Sequence, residues 1–370
     1  MILEIFMALS GAFLISYLAV PIVIDIAKKN RLFDRPDERK VHKRGISSLG
    51  GAAIFTGFLI SGMLFIPGNL HSEFRFYLAG AIIIFFLGLK DDLNELSAIN
   101  KLIGQVLVAS ILIHAGGLRL EGMYGFLGLT EVPLLFSYAL TYFTIIVVMN
   151  AFNLIDGIDG LATSLGILSA SVFGIYFLLA DEVAYSMLAF SLVGSLLAFL
   201  IFNHQPARIF MGDSGSLLIG TINSILVIRF IHLAASPTSV LPLSGSVALG
   251  FTILFVPLLD TLRMFSVRLL RGKSPFSPDR NHLHHLLLDH GFGHAVITWI
   301  CVLLNVIFLI IAWRFRFLGS TLLLLGEVAV ALIGLGFLYY SRRPQAQTAV
   351  DTANDAPIID LTRDRSAQAD

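Results

Sequence analysis

Apolar residues run along this chain in blocks of 16 to 25, and short polar clusters separate them. Eleven blocks are read, at positions 3–27, 49–66, 74–89, 102–118, 133–149, 161–180, 183–202, 217–233, 242–259, 295–313 and 318–340. A helix needs about 20 apolar residues to cross bilayer hydrocarbon, so each block predicts a transmembrane helix. The fourth block is short, and the ninth carries Pro257 near its end. Pro67-Gly68 and Ser236-Pro237 predict tight turns between neighbouring spans. Residues 117–131, with Leu118 and Leu120 in alternation and several glycines, predict a small hairpin on the outer side. The expected fold is an all-α polytopic membrane protein, one domain over residues 1–340. The tail 341–370 is polar and poor in aromatics, which predicts disorder.

Composition agrees with the pattern. Of 370 residues, 56% are hydrophobic and 14% charged, and mean hydropathy is +0.84. A soluble domain carries roughly a quarter charged residues. A formal net charge of +0 argues against nucleic acid as a partner. The single cysteine, Cys301, lies in an apolar block and permits neither an internal disulfide nor a cysteine-based metal site. The first block is long enough to span and has no small-residue cleavage pattern after it, so no cleaved leader is expected.

Basic residues set the orientation, because cytoplasmic loops retain Lys and Arg. With eleven spans, 20 of the 25 fall on one side, leaving Arg75, Arg119, Arg229, Arg314 and Arg316 on the other. The N-terminus is therefore expected outside, in the periplasm, and the C-terminus in the cytoplasm. The same parity puts segments 91–101, 150–160, 203–215 and 271–294 together on the cytoplasmic face. These are the polar clusters of the chain.

Each cluster carries groups able to do chemistry. Asp91-Asp92-Leu93-Asn94-Glu95, followed by Lys101, sets two adjacent carboxylates at a membrane surface. They repel unless a cation or proton relieves them, so they suit Mg²⁺ or a base, or simply a solvated helix end. Asn150, Asn153, Asp156 and Asp159, the last two each followed by glycine, line oxygens along a helix end and turn. Hard oxygen donors of this kind suit Mg²⁺ and phosphates. Gly212-Asp213-Ser214-Gly215 opens a span and offers amides and a carboxylate, as a phosphate or metal site or as an ordinary cap. Arg280, His282, His284 and His285 can bind pyrophosphate or donate protons. His282 and His285 also share a helix face as a zinc pair would, but the oxygen-rich clusters favour Mg²⁺. An ion-coupled transporter would instead set its carboxylates near the midplane. An inert scaffold would leave four polar clusters without a purpose.

The runs 150–162, 210–216 and 274–285, together with Arg39-Lys40-Val41-His42 and Gly50-Gly51 in the first loop, closely resemble the bacterial polyprenyl-phosphate N-acetylhexosamine-1-phosphate transferases. The resemblance covers nearly the whole chain. It departs at Glu95, where the family has Asp, and at Ser47, where relatives often have proline. Where the relative that uses UDP-MurNAc-pentapeptide has Pro-x-His-His-His, this chain has His282-Leu283-His284-His285, which favours an amino sugar without a peptide.

The resemblance implies transfer of a sugar 1-phosphate, GlcNAc-1-phosphate first, from a UDP-N-acetylhexosamine to undecaprenyl phosphate. UMP leaves, and a lipid-linked envelope glycan such as O-antigen is begun. It implies a multi-pass protein of the bacterial inner membrane with a cytoplasmic active site, and it admits a homodimer. It implies Mg²⁺, for which Mn²⁺ can substitute, on Asp213 with Asn153 near it. Asp91, Asp92, Asp156 and Asp159 are implied as the catalytic set, one of the first two deprotonating or orienting the lipid phosphate. Asp156 and Asp159 would shape the nucleotide and metal pocket. Phe210 would stack on uracil. Lys101, Asn150, Arg280, His282, His284 and His285 would contact substrate.

Overall fold

The structure, a computed structural model, describes residues 1–32, 46–66, 72–270, 272 and 283–341. Among these the chain folds into α1 (Ile2–Lys29), α2 (Gly50–Phe65), α3 (Phe74–Leu93), α4 (Ala98–Ser110), α5 (Leu134–Ile155), α6 (Leu161–Leu179), α7 (Val183–Asn203), α8 (Gly212–Ala235), α9 (Ser246–Ile253), α10 (Phe255–Leu270), α11 (Leu283–Asp289), α12 (His294–Phe315) and α13 (Ser320–Tyr340). The predicted turn at Pro67-Gly68, the motif from Arg39 to His42, Arg280, His282 and the tail from 342 onward lie outside the described residues.

Among the described residues eight helices are long and apolar enough to cross a membrane, or nine if the bent pair α9–α10 counts as one span. The chain is a polytopic helical membrane protein. Apolar blocks two and three are also helical, but α2 has only 16 residues and α3 runs past its apolar block into Lys90, Asp91 and Asp92.

Burial is graded from the middle outward. α8 is the axis, with 83% of its apolar window buried, against 22% for α1 and 17% for α13, whose outer faces remain for lipid. α8 lies against α3 and α5, while α7 packs on α1 and α6. In hydrocarbon, packing rather than water exclusion draws helices together, so small residues mark the seams. A Cβ at Gly220 of α8 would lie 2.5 Å from the Met149 Cα of α5. Ser16 of α1 donates its hydroxyl to the Ala53 carbonyl of α2 at 3.0 Å.

Two blocks depart from straight helices. The fourth becomes α4 followed by a π-turn over Ile111–Ala115. The ninth breaks at Leu254 and turns through 86° between α9 and α10. Pro257 has no N–H to return to the Ile253 carbonyl, so the helical ladder fails there. Asn305 of α12 repairs the break. Its Oδ1 accepts the Val256 N–H at 3.0 Å, and its Nδ2 donates to the Thr252 and Ile253 carbonyls at 3.2 and 3.3 Å.

The predicted hairpin is present as β1 (Gly122–Phe126) antiparallel to β2 (Leu129–Glu131). Leu127 and Gly128 both have positive φ, 54° and 76°, as a two-residue hairpin turn of the right twist requires. At the same end a cavity of about 300 Å³ opens between Tyr77, Tyr185, Arg119 and Arg229. Its two arginines pair with Glu121 and Glu182, at 3.1 and 2.8 Å.

Asn305→Leu keeps the volume of this buried side chain but strands one N–H and two carbonyls. Each unsatisfied group costs about 1–3 kcal/mol. Thermal unfolding in detergent should show a loss of roughly 3 kcal/mol or more; an unchanged melting temperature would mean the bend does not need its carboxamide.

Candidate active site

The site begins where the last turn of α3 meets the first turn of α8. The opening amides of a helix have no partner within it, and Met211, at the cap of α8, offers no side-chain acceptor. Asp92 supplies one from the neighbouring helix. Its Oδ1 accepts the Asp213 N–H at 2.6 Å, and its Oδ2 accepts the Ser214 N–H at 3.1 Å and the Ser214 hydroxyl at 2.6 Å. Gly88, one turn earlier in α3, makes the approach possible, since a Cβ there would stand 2.5 Å from Ser214 Cα. Asp92 lies beyond the apolar block that ends at Leu89. Burial pushes its carboxyl up to about 7 although the bonds from Ser214 and Asp213 pull the other way.

Capped in this way, α8 turns the Asp213 carboxylate toward α4. Lys101 Nζ donates to Asp213 Oδ2 at 2.8 Å and lies 2.5 Å from Asp91 Oδ2. The other Asp91 oxygen accepts the Leu96 N–H at 2.6 Å, which fixes the α3–α4 turn. Asp91 and Asp213 therefore stand side by side across the Lys101 ammonium. Burial, then that acidic neighbour, raises the Asp91 carboxyl above the ordinary range against the pull of Lys101.

The end of α5 faces this trio. Asn153 donates to Ser216 Oγ at 3.0 Å and stands within hydrogen-bond reach of Asp213. Asp156 caps α5 in the turn that follows. Loss of bulk water, then the charges of Asp213, Asp92 and Asp159, push its carboxyl up to about 8. Asp159 is nearly buried, at 4% exposure. It accepts the Ala207 N–H at 3.1 Å and lies 3.4 Å from His294 Nδ1, so its oxygens face the α7–α8 loop and α12. Asn150, one turn deeper, exchanges hydrogen bonds with Gln105 of α4 at 2.9 and 3.3 Å. Sequence reasoning missed Gln105, although its place four residues after Lys101 puts it on the same face of α4.

The Gly-Gly pair of the first loop completes one wall. Gly50 and Gly51 donate to the Phe210 and Met211 carbonyls at 3.0 and 2.8 Å, and Phe210 donates to the Ser47 carbonyl at 2.8 Å. A Cβ at Gly51 would collide with Gly215 and Ser214. The Ser47 carbonyl that accepts the Phe210 N–H is one proline also has, but the Ser47 hydroxyl, which accepts the Leu49 N–H at 3.3 Å, is not. The histidine helix α11 closes another side. A Cβ at Gly157 would collide with His284 Nε2, so His284 lies on the turn after Asp156, with the His285 ring 4.4 Å from its own. Asp260 of α10 holds α11 in place by accepting the Leu283 N–H at 2.8 Å. Asp260 was also missed; it lies one residue past the end of an apolar block. Glu95 is exposed and stands apart from the group.

The arrangement thus brings together Asp91, Asp92, Lys101, Asn153, Asp156 and Asp213, with Phe210, His284 and His285 at its borders. Among the described residues no three acidic or histidine side chains converge closely enough to enclose a metal by themselves. An all-oxygen set with one or two protein ligands fits a hard cation that keeps waters or phosphates in its shell. The surplus of carboxylates, felt by Asp156, is the electrostatic counterpart of that fit.

Comparison with known proteins agrees. Residues 74–231 match the family model described as glycosyl transferase family 4. The chain is 35% identical over 340 residues to a probable undecaprenyl-phosphate N-acetylglucosaminyl 1-phosphate transferase of Bacillus subtilis (strain 168), covering 88% of this chain and 92% of that protein. It is 32% identical over 338 residues to the undecaprenyl-phosphate alpha-N-acetylglucosaminyl 1-phosphate transferase of Yersinia pestis, covering 89% and 88%. It is 34% identical over 321 residues to a decaprenyl-phosphate N-acetylglucosaminephosphotransferase of Mycobacterium tuberculosis (strain CDC 1551 / Oshkosh), covering 79% and 78%.

Gly88→Ala should separate α3 from the start of α8 and lose the Asp92 cap. Overpacking of this kind costs about 1–3 kcal/mol. Gly326→Ala, with nothing within 4 Å of the new Cβ, is the matched control. Melting temperatures in detergent should fall for the first and stay level for the second; equal values would refute the contact.

Proposed function

Because the chain belongs to glycosyl transferase family 4, we propose that it transfers N-acetylglucosamine 1-phosphate from a UDP-sugar to undecaprenyl phosphate, releasing UMP. The observation that carries this reading is the Asp91–Lys101–Asp213 trio, held by the Asp92 cap, in a chain alike over nine-tenths of its length to proteins curated for that reaction. A lipid-phosphate oxygen attacks the phosphorus that bears the sugar. A new phosphorus–oxygen bond forms, the bond to UMP breaks, and UMP departs with the electron pair.

Phosphoryl transfer depends on positioning and charge neutralisation. Two anions must meet, and Lys101 is the described cation among the acids. Asp213 and Asn153 would hold Mg²⁺, which when bound would offset charge on the pyrophosphate. Between the adjacent aspartates, Asp91 is the better proton acceptor for the lipid phosphate. Both oxygens of Asp92 are taken up by the α8 cap, whereas Asp91 spends one oxygen on the Leu96 N–H and turns the other to Lys101 beside Asp213. Asp156 lies on the nucleotide side, and His284 and His285 border the phosphates. The basic loops support eleven crossings, an outer N-terminus and a site at the cytoplasmic face of a bacterial inner membrane. There the product would begin an envelope glycan.

The direct test supplies purified protein with undecaprenyl phosphate, Mg²⁺ and a panel of radiolabelled UDP-sugars. Lipid-linked product and UMP should appear with UDP-GlcNAc, and no product with any UDP-HexNAc would sink the assignment. Asp91→Asn should keep the wild-type melting temperature and lose about 10²–10⁴ in kcat, the usual range for a lost acid–base group. Asp92→Asn should lower both. In the wild type kcat/KM should fall on acidification through a pKa above the usual carboxylate range, because the base must be ionised to accept a proton.

The Asp156 carboxyl, pushed up to about 8, is largely protonated at neutral pH until a cation relieves it. Calorimetric Mg²⁺ affinity should therefore rise from about pH 6.5 to about pH 8.5, with proton release. Asp156→Asn should flatten that dependence, and an equally steep rise in the variant would count against Asp156 as its source.

A further inference from the structure

Asn203 is the last residue of α7 and is 3% exposed. Its carboxamide touches three segments. Oδ1 accepts the Gly160 N–H at 3.1 Å and the Thr163 hydroxyl at 2.9 Å. Nδ2 donates to the Ile209 carbonyl at 3.0 Å. Gly160 ends the turn that begins at Asp156, and Ile209 lies four residues before Asp213. One planar group therefore ties the loop carrying Asp156 to the loop that launches α8.

We propose that Asn203 is a positioning residue that fixes the separation between the Asp156 carboxylate and the Asp213 carboxylate. The proposal rests on the transferase reading above. Gly160, with φ of 75°, sits against α7, where a Cβ would lie 3.4 Å from the Leu200 side chain. That conformation aims its N–H at Asn203. The α7–α8 loop has other anchors on either side, Ala207 to Asp159 at 3.1 Å and Phe210 to the Ser47 carbonyl at 2.8 Å. Neither of them joins Ile209, the residue nearest the Gly-Asp-Ser-Gly turn that bonds to the Asp156 loop. The job needs an acceptor and a donor at fixed spacing. Aspartate has the shape but lacks the donor, and serine lacks the reach to make both bonds.

Asn203 touches none of the reacting groups, so its effect is expected on geometry. Misplacement by about 1 Å can cost as much as a hundredfold in rate. The test uses full-length protein in detergent with undecaprenyl phosphate, UDP-GlcNAc and Mg²⁺, comparing wild type with Asn203→Asp, Asn203→Ser and Thr163→Val. Asn203→Ser carries no charge and guards against loss of folding by the buried carboxylate of Asn203→Asp. The Asn203 variants should lower kcat about tenfold or more and raise the Mg²⁺ concentration for half-maximal rate severalfold. Donor KM should change by less than about twofold. Thr163→Val removes only the tie to α6, and its kcat should stay within about twofold of wild type.

A merely structural role would lower the melting temperature while leaving kcat per folded enzyme and the Mg²⁺ requirement unchanged. That result in either Asn203 variant overturns the proposal. Wild-type protein that makes no lipid-linked product with any UDP-HexNAc overturns the transferase reading and the positioning role with it. Wild-type turnover alongside undiminished Asn203 variants overturns the positioning role alone.

Discussion

The two oxygens of Asp92 receive three hydrogen bonds from the first turn of α8, and the rest of the site is built on that cap. A helix start at the edge of hydrocarbon leaves amides that must find acceptors, and its dipole favours an anion there. Taking the acceptor from α3 rather than from the residue before α8 makes the cap a tertiary bond. It locks α3 to the central helix at the depth where Asp213 emerges. Asp91, next in sequence to Asp92, is thereby fixed beside Asp213, and Lys101 is drawn between them. The adjacent aspartates thus divide into one that holds the frame and one that faces the chemistry.

The cap works only because the helices approach so closely. Gly88, Gly51 and Gly215 make the start of α8 a place where three backbones meet without side chains between them. At the other side of the site the same problem is solved with polar side chains. Pro257 breaks the ninth block, Asn305 substitutes for the lost ladder, and α10 carries Asp260 to the start of α11. That chain of contacts brings His284 onto the turn at Gly157. Local irregularities in an otherwise regular bundle are what carry polar groups from distant blocks to one place. They occur where protein, rather than lipid, surrounds the freed backbone groups.

Much of this was legible in the sequence because the bilayer imposes a coarse code. Apolar blocks mark the helices, and the parity of Lys and Arg predicts that the polar clusters share one end of the bundle, where Asp91, Asn153 and Asp213 meet. The β1–β2 hairpin was readable from its glycines. The bend in the ninth block was not, since Pro257 signals a fault in the ladder but not its angle, and Asn305, which repairs it, is 48 residues away. Asp91 and Asp92 could not be told apart, because adjacent carboxylates look alike until a neighbour uses one of them. Gln105, Asn203 and Asp260 were missed for a related reason. Each is a polar residue in or at the edge of an apolar block, and its partner, Asn150, Gly160 or Leu283, lies far along the chain. At Ser47 the bond to the start of α8 uses the residue's own main-chain carbonyl, which accepts the Phe210 N–H, while its hydroxyl accepts the Leu49 N–H.

The charge balance explains why such a site tolerates itself. Asp91 and Asp213 flank Lys101, with Asp92 and Asp156 close by; Asp213 is held in its ionised form, while Asp91, Asp92 and most clearly Asp156 are pushed toward holding protons. Protonated carboxyls let such groups pack closely, and the same groups would become acceptors on meeting a cation. A fully paired site would be quieter but would have no electrostatic reason to recruit a divalent ion. Among the described residues the site sets one lysine among several acids, a composition that metal and phosphates entering together would balance.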